Sequence, residues 1–386
     1  MGLVAGVLAG VSSYVFLRGL DYVTDVRLRH PGLVWLLPVA GLGVGIVYHS
    51  AGGRAGLGTG LVVSEIRTPT VGVPRRMAPL VLVGTWITHL FGGSAGREGT
   101  ALQMAGSLAG GAARLARLTD HDRRVMLVAA VAGGFGAVFG VPLAGMFFAL
   151  EIAPGHRLRL WALGPALCAA FVGDRIVTAL GYHHAAKPVI HWDWNFADLG
   201  RAALAGLAFA LAAVAFLASL RAVKSVVGTL RYPWLRPVVG GVAVVCLTQL
   251  LGHDYLGLSL PLAERALAGV PTGFSVFALK LLFTAITLGC AFPGGEVTPL
   301  FVIGSTLGAA LSTPLGLPVT MAAALGFVSV FAASANAPIA CTIMGAELFG
   351  LGAVVPLGVA CVVAAVASGR GDIYRLHHAS GAKHAR

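Results

Sequence analysis

Two glutamates are the residues best placed to do chemistry in this sequence: Glu98, within Gly96-Arg97-Glu98-Gly99-Thr100, and Glu296, within Gly294-Gly295-Glu296-Val297-Thr298. Each follows a loose stretch, Gly92-Gly93-Ser94-Ala95-Gly96 or Pro293-Gly294-Gly295, and precedes an apolar, helix-competent run. That pattern predicts a helix start, and a helix N-terminus offers unpaired N–H groups and the positive end of the helix dipole. Two such termini converging inside a membrane form an anion site without a fixed positive charge, which suits passage because a Lys or Arg in a pore would hold the anion too tightly. A third candidate start is Gly56-Leu57-Gly58-Thr59-Gly60-Leu61, where Thr59 offers a hydroxyl donor. A carboxylate at such a terminus competes with the anion for the same donors. Protonation neutralises it and makes room, so one side chain links proton and anion occupancy. Taken singly, each glutamate can also be read as a helix cap that only satisfies N–H groups.

The elements that must carry these residues are set by composition. The chain has 386 residues, 57% hydrophobic and 11% charged, with a mean hydropathy of +0.86, outside the range of soluble domains. Val297 to Ala346 and Leu348 to Gly369 contain no Asp, Glu, Lys or Arg, and neither do Pro31 to Gly53, Val125 to Leu150 and Ala202 to Leu220. A spanning helix needs about 20 apolar residues. No period-2 alternation of the outer-membrane barrel kind is present, so an all-α polytopic membrane protein is expected.

The formal charge of +12 is spread over short loops, which argues for topology and against a nucleic-acid partner. Arg27 and Arg29, Arg75 and Arg76, the group Arg114, Arg117, Arg123 and Arg124, and the tail residues Arg370, Arg375, Lys383 and Arg386 are the basic sites. The positive-inside rule then places the C-terminus in the cytoplasm. The first residues lack a basic n-region and a cleavage site, and read as a helix of the mature protein. Five cysteines stand singly in apolar runs, and the twelve histidines show no ligand spacing, so neither a disulfide framework nor a metal or cofactor site is expected. An intramembrane enzyme would need a nucleophile with a base, or an aspartyl pair, and neither pattern occurs.

Self-comparison reveals a repeat. Glu98 matches Glu296 and Thr100 matches Thr298 at an offset of 198 (296 minus 98), while Val141-Pro142-Leu143-Ala144 followed by Glu151 matches Ala337-Pro338-Ile339-Ala340 followed by Glu347 at an offset of 196 (338 minus 142). Transporters built from two related halves bind their substrate where the halves meet. The expected organisation is a first repeat over 1–180, a linker over 181–199 and a second repeat over 200–386. Breaks such as Phe292-Pro293-Gly294-Gly295 argue for helices that enter and stop inside the membrane. Two glutamates at repeat-related positions favour a transport role over capping. Glu151 and Glu347, at the ends of their runs, read rather as residues facing water or a basic loop, and Glu65, Asp174 and Arg175 as boundary residues.

At these residues the sequence resembles the CLC family of chloride channels and anion/proton antiporters over nearly its whole length. Gly96-Arg97-Glu98-Gly99-Thr100 is similar to the family's G-R/K-E-G-P motif, with Thr100 in place of proline. Gly295-Glu296-Val297-Thr298-Pro299 stands where the family has G-x-F-x-P, and Gly58-Thr59-Gly60-Leu61-Val62 where it has G-S-G-I-P. Thr after the gate and Glu-Val-Thr-Pro in the second repeat resemble the fluoride-specific branch. The resemblance implies a CLC-like fold of two inverted repeats with broken and re-entrant helices, a homodimer with one pathway per subunit, and residence in a bacterial inner membrane. It also implies fluoride/proton exchange for fluoride export, with Glu98 as gate, Glu296 as a second acid and Thr298 beside the anion. Tyr374 falls where the family places a pore tyrosine; on sequence alone an interfacial tyrosine remains the alternative. Where chloride/proton antiporters carry an inner proton-transfer glutamate, this chain has Ile152. A chloride channel or chloride/proton antiporter is the alternative function; it shares Glu98 and offers no role for Glu296.

Overall fold

The structure, a computed structural model, describes residues 1–185, 187–190, 192–369 and 373–374. The tail residues Arg370, Arg375, Lys383 and Arg386 lie outside the described residues. Sixteen α-helices occur among those described. The first eight are α1 (Gly2–Arg29), α2 (Leu37–Val47), α3 (Thr59–Arg67), α4 (Met77–Leu90), α5 (Glu98–Leu115), α6 (Asp120–Phe139), α7 (Pro142–Ile152) and α8 (His156–Ala179). The second eight are α9 (Phe196–Gly228), α10 (Arg236–Leu251), α11 (Leu260–Leu267), α12 (Phe274–Gly289), α13 (Val297–Leu315), α14 (Val319–Ala335), α15 (Pro338–Phe349) and α16 (Val354–Ala367).

The packing order recurs. In the first set α1 lies on α8, α5 on α6, α6 on α7 and α8, and α4 on α5; in the second α9 lies on α16, α13 on α14, α14 on α15 and α16, and α12 on α13. The two sets join through α2 with α10 and α7 with α15. Four helices and two longer helical runs have the length and hydropathy to cross a membrane, and the chain is an integral membrane protein.

The uncharged sequence stretches are subdivided by local chemistry. Val125 to Leu150 breaks at Gly140, which is left-handed, and Pro142 then starts α7, where a missing N–H costs nothing. The run from Pro31 to Arg67 is interrupted by a π-turn at Tyr48–Gly52 and a 3₁₀ turn at Gly53–Leu57. α9 opens at Asn195, whose side chain and that of Asp198 cap one another's backbone N–H, so the last residues of the 181–199 stretch are helical.

With lipid as solvent, helices associate through close packing more than through water exclusion. Small residues allow it: a methyl at Gly304 would lie 2.0 Å from the Gly326 carbonyl oxygen, so α13 and α14 touch backbone to backbone. The centre is aromatic, with Phe135 stacked on Phe148 at 4.6 Å and Phe301 on Phe327 at 4.3 Å.

Candidate functional site

The two glycine-rich loops meet directly. Gly96 N–H donates to the Gly295 carbonyl at 2.6 Å and Gly295 N–H to the Gly96 carbonyl at 2.8 Å, the sole bridge of β type among the described residues. The approach is so close that a methyl on Gly295 would sit 2.7 Å from Gly99 N and 3.0 Å from Glu98 Oε2. One on Gly96 would sit 2.7 Å from Glu98 Oε2. From this clasp α5 and α13 run apart, so their N-termini face a common centre. α3 brings a third terminus: Gly58, at φ +62°, precedes it, and the Thr59 hydroxyl reaches the Gly99 carbonyl at 3.5 Å and accepts from Gln103 Nε2 at 3.2 Å. None of the three N-cap residues, Gly58, Arg97 and Glu296, caps its own helix with a side chain.

Glu98 is fully buried, and its carboxylate reaches across to α13. Oε2 accepts the Thr298 backbone N–H at 3.0 Å, and Oε1 accepts the Thr298 hydroxyl. The carboxylate thus occupies the positive end of α13, with two donors from one residue. Val297, the first residue of α13, and Thr298 are buried. Glu296 is 7% exposed, and Lys224 of α9 is its electrostatic neighbour.

The clasp shifts the repeat by one residue. Gly96 pairs with Gly295, and the Gly93-to-Thr88 bond recurs as Phe292 to Thr287, an offset of 199 (292 minus 93). Glu98 therefore corresponds to Val297, and Glu296 to Arg97. The 198-residue alignment follows the glycine-acid-threonine likeness of the letters, whereas the backbone follows the clasp.

The Arg97 guanidinium lies 5.6 Å from the Phe139 ring and is an electrostatic neighbour of Glu98, of Tyr182 and of Asp21 of α1. Tyr374 is buried, with its ring 6.0 Å from Phe148 at the edge of the aromatic centre. Glu151 and Glu347 are partly exposed, and Glu151 has Arg159 as an electrostatic neighbour, but each carboxylate also reaches the other half: Glu151 accepts the Ile339 and Ala340 N–H groups at 3.1 and 2.7 Å, and Glu347 those of Leu143 and Ala144 at 3.0 and 2.8 Å. Each ends its own helix and caps the start of its counterpart.

Two buried polar residues that sequence reasoning passed over hold the loop ahead of Glu98. Lys280 of α12 donates from Nζ to Ser94 Oγ and Ser259 Oγ at 2.9 Å, and to the Gly257 carbonyl at 2.8 Å. The His89 ring nitrogens lie 2.9 Å from the Thr85 carbonyl and 3.1 Å from that of Ala95. Their signal was present: ionisable residues inside apolar runs are costly and mark function.

Three broken helices aimed at one centre, with a carboxylate resting on the terminus of one of them, define a membrane anion-transport fold. The voltage gated chloride channel family model matches residues 39–369, and the chain belongs to this family, the CLC family. It is 41% identical to a chloride/fluoride channel protein of Pseudomonas syringae pv. tomato, over all of this chain and 87% of the relative. A voltage-gated ClC-type chloride channel of Escherichia coli is 29% identical over 75% of this chain and 72% of its own length. Among solved structures, a CLC-type fluoride/proton antiporter superposes with a TM-score of 0.93 at 34% identity, covering 97% of this chain and 96% of the other. A slow cyanobacterial Cl⁻/H⁺ antiporter shares the fold at a TM-score of 0.87 and 19% identity, over 100% of this chain and 98% of its own.

Proposed function

We propose that this protein exchanges fluoride for protons across a bacterial inner membrane, exporting fluoride, with Glu98 as the protonatable gate. The observation that carries the reading is the seat of the Glu98 carboxylate on the Thr298 N–H and O–H groups at the start of α13. Fluoride is small and a strong hydrogen-bond acceptor, so donors that hold a carboxylate oxygen also suit it. Ionised, Glu98 fills the terminus and excludes the anion; protonated, it gives up the charge that the helix dipole favours, and fluoride takes the donors. The likeness to a protein named a chloride/fluoride channel and to a fluoride/proton antiporter points the same way.

In this reading Gly96 and Gly99 allow the close approach at the clasp, Val297 and Thr298 present the α13 donors, and Gly58 and Thr59 present those of α3. Tyr374 adds its hydroxyl from the aromatic side. Arg97 sets the field outside the gate. Glu296, two residues before Thr298, is the second acid, and Lys224 balances its charge. The halves 1–180 and 200–386 act as the two repeats joined by 181–199, two chains form a dimer with one pathway each, and the C-terminus is cytoplasmic.

The test is efflux from proteoliposomes loaded with fluoride or chloride, with pH recorded on both sides at a clamped potential. Fluoride efflux far faster than chloride with uphill proton movement is expected; equal or chloride-favouring flux would return the protein to general chloride transport.

A further inference from the structure

The densest positive charge lies far from the gate. Arg114, sixteen residues after Glu98 on α5, stands about 24 Å along the helix, where the end of α5 meets the segment before α4 and the start of α6. Three guanidinium groups converge there. A methyl at Gly72 would lie 2.8 Å from Arg123 Nη2 and 2.9 Å from Arg114 Nη1, so both nitrogens border one point. The Arg75 side chain runs along α5, with Cγ and Nε each 3.6 Å from the position of a methyl at Gly111. Arg75 and Arg123 both press like charge on Arg114.

The scaffold is pinned. Ser107 Oγ donates to the Pro74 and Arg75 carbonyls at 2.7 and 3.1 Å, and Arg114 Nη1 to the Val73 carbonyl at 2.9 Å. Compensating acid is scarce. Glu65 is engaged by Arg54 at 2.7 Å and by the Thr70 N–H at 2.8 Å. Asp120, 76% exposed, pairs with Arg123 Nη1 at 3.1 Å, and among the described residues no carboxylate pairs with Arg75 or Arg114. Apolar surface adjoins the charge: Val71 is 79% exposed, Leu115 82% and Trp161 67%, with His121 edge-on to the Trp161 ring at 5.9 Å.

We infer that Arg75, Arg114 and Arg123 form a binding site for the phosphodiester headgroup of an anionic phospholipid. Planar guanidinium groups match phosphate oxygens in geometry as well as charge. A basic pocket bordered by exposed Leu, Val and Trp fits the boundary between headgroups and acyl chains. The apolar rim selects a lipid over a free phosphate ion, which has nothing to place against Val71 and Leu115.

The test is native mass spectrometry of the purified full chain offered phosphatidylglycerol or phosphatidylcholine, with and without excess inorganic phosphate. Wild-type protein is expected to retain the anionic lipid in clear preference, and phosphate should not displace it. Arg75→Gln, at an exposed position, should lower that preference about fivefold, and the Arg114→Gln/Arg123→Gln pair should lower it further. Equal retention of the two lipids by wild type, or a preference unchanged in Arg75→Gln, overturns the site. Full displacement by phosphate overturns the lipid assignment in favour of a soluble anion.

Discussion

Glutamates cross between the two halves of the molecule at two places, and the two crossings differ. Between α7 and α15 the exchange is mutual: Glu151 caps α15 and Glu347 caps α7, each with two N–H bonds. Between α5 and α13 it is one-sided. Glu98 caps α13, and the position equivalent to Glu98 is Val297, which has no carboxylate to send back. A reciprocal pair leaves no helix start for an outside anion and behaves as a brace. A one-sided crossing puts a single carboxylate on donors that an anion can claim. Symmetry at one crossing gives rigidity, and its absence at the other gives a movable part.

The largest effect on this contrast is expected for Gly295→Ala. The added methyl meets Gly99 N at 2.7 Å and Glu98 N at 3.1 Å, both backbone atoms that cannot step aside. Overpacking of this kind costs about 1–3 kcal/mol, and fluoride turnover should fall to the liposome background; wild-type turnover would show that the clasp is not needed. Next comes Glu296→Ala. Fluoride exchange should be strongly impaired with the fold intact, measured as efflux beside a thermal melt, and unchanged turnover would reduce Glu296 to an N-cap residue.

Thr298→Val removes the hydroxyl donor and keeps the N–H. A hydrogen bond to a charged group is worth about 1.5–3 kcal/mol, so fluoride turnover should drop roughly tenfold or more, and Thr298→Ser should restore it. Failure of serine to rescue would mean that the methyl, not the hydroxyl, matters. The smallest effects on transport belong to the brace. Glu151→Gln and Glu347→Gln should each lower stability by about 1–2 kcal/mol, to similar extents, with fluoride–proton coupling kept. Unequal losses, or altered coupling in either variant, would break the distinction between the two crossings.

The sequence made much of this legible because the relevant features are local. Glycine-rich stretches ahead of Glu98, Glu296 and Thr59 mark helix starts, and α5, α13 and α3 begin within a residue of them. The Thr298 hydroxyl, which only the family resemblance singled out, donates to the Glu98 carboxylate. Long-range pairings were less legible. Glu151 and Glu347 read as residues facing water or a basic loop because each acceptor finds its donors about 190 or 200 positions away, on backbone N–H groups that any sequence carries. Lys280 is held by a carbonyl and serine hydroxyls from distant loops, whereas the partners of His89, the Thr85 and Ala95 carbonyls, are local backbone groups that any sequence carries. The repeat offset was misjudged by one because letters were compared where a backbone clasp sets the register.

Glu98→Gln keeps the shape of the gate side chain and removes its titration. In proteoliposomes with an imposed fluoride gradient, proton movement should fall to that of protein-free vesicles. Fluoride-driven proton movement at the wild-type rate would contradict the assignment of Glu98 as the gate that couples the two ions.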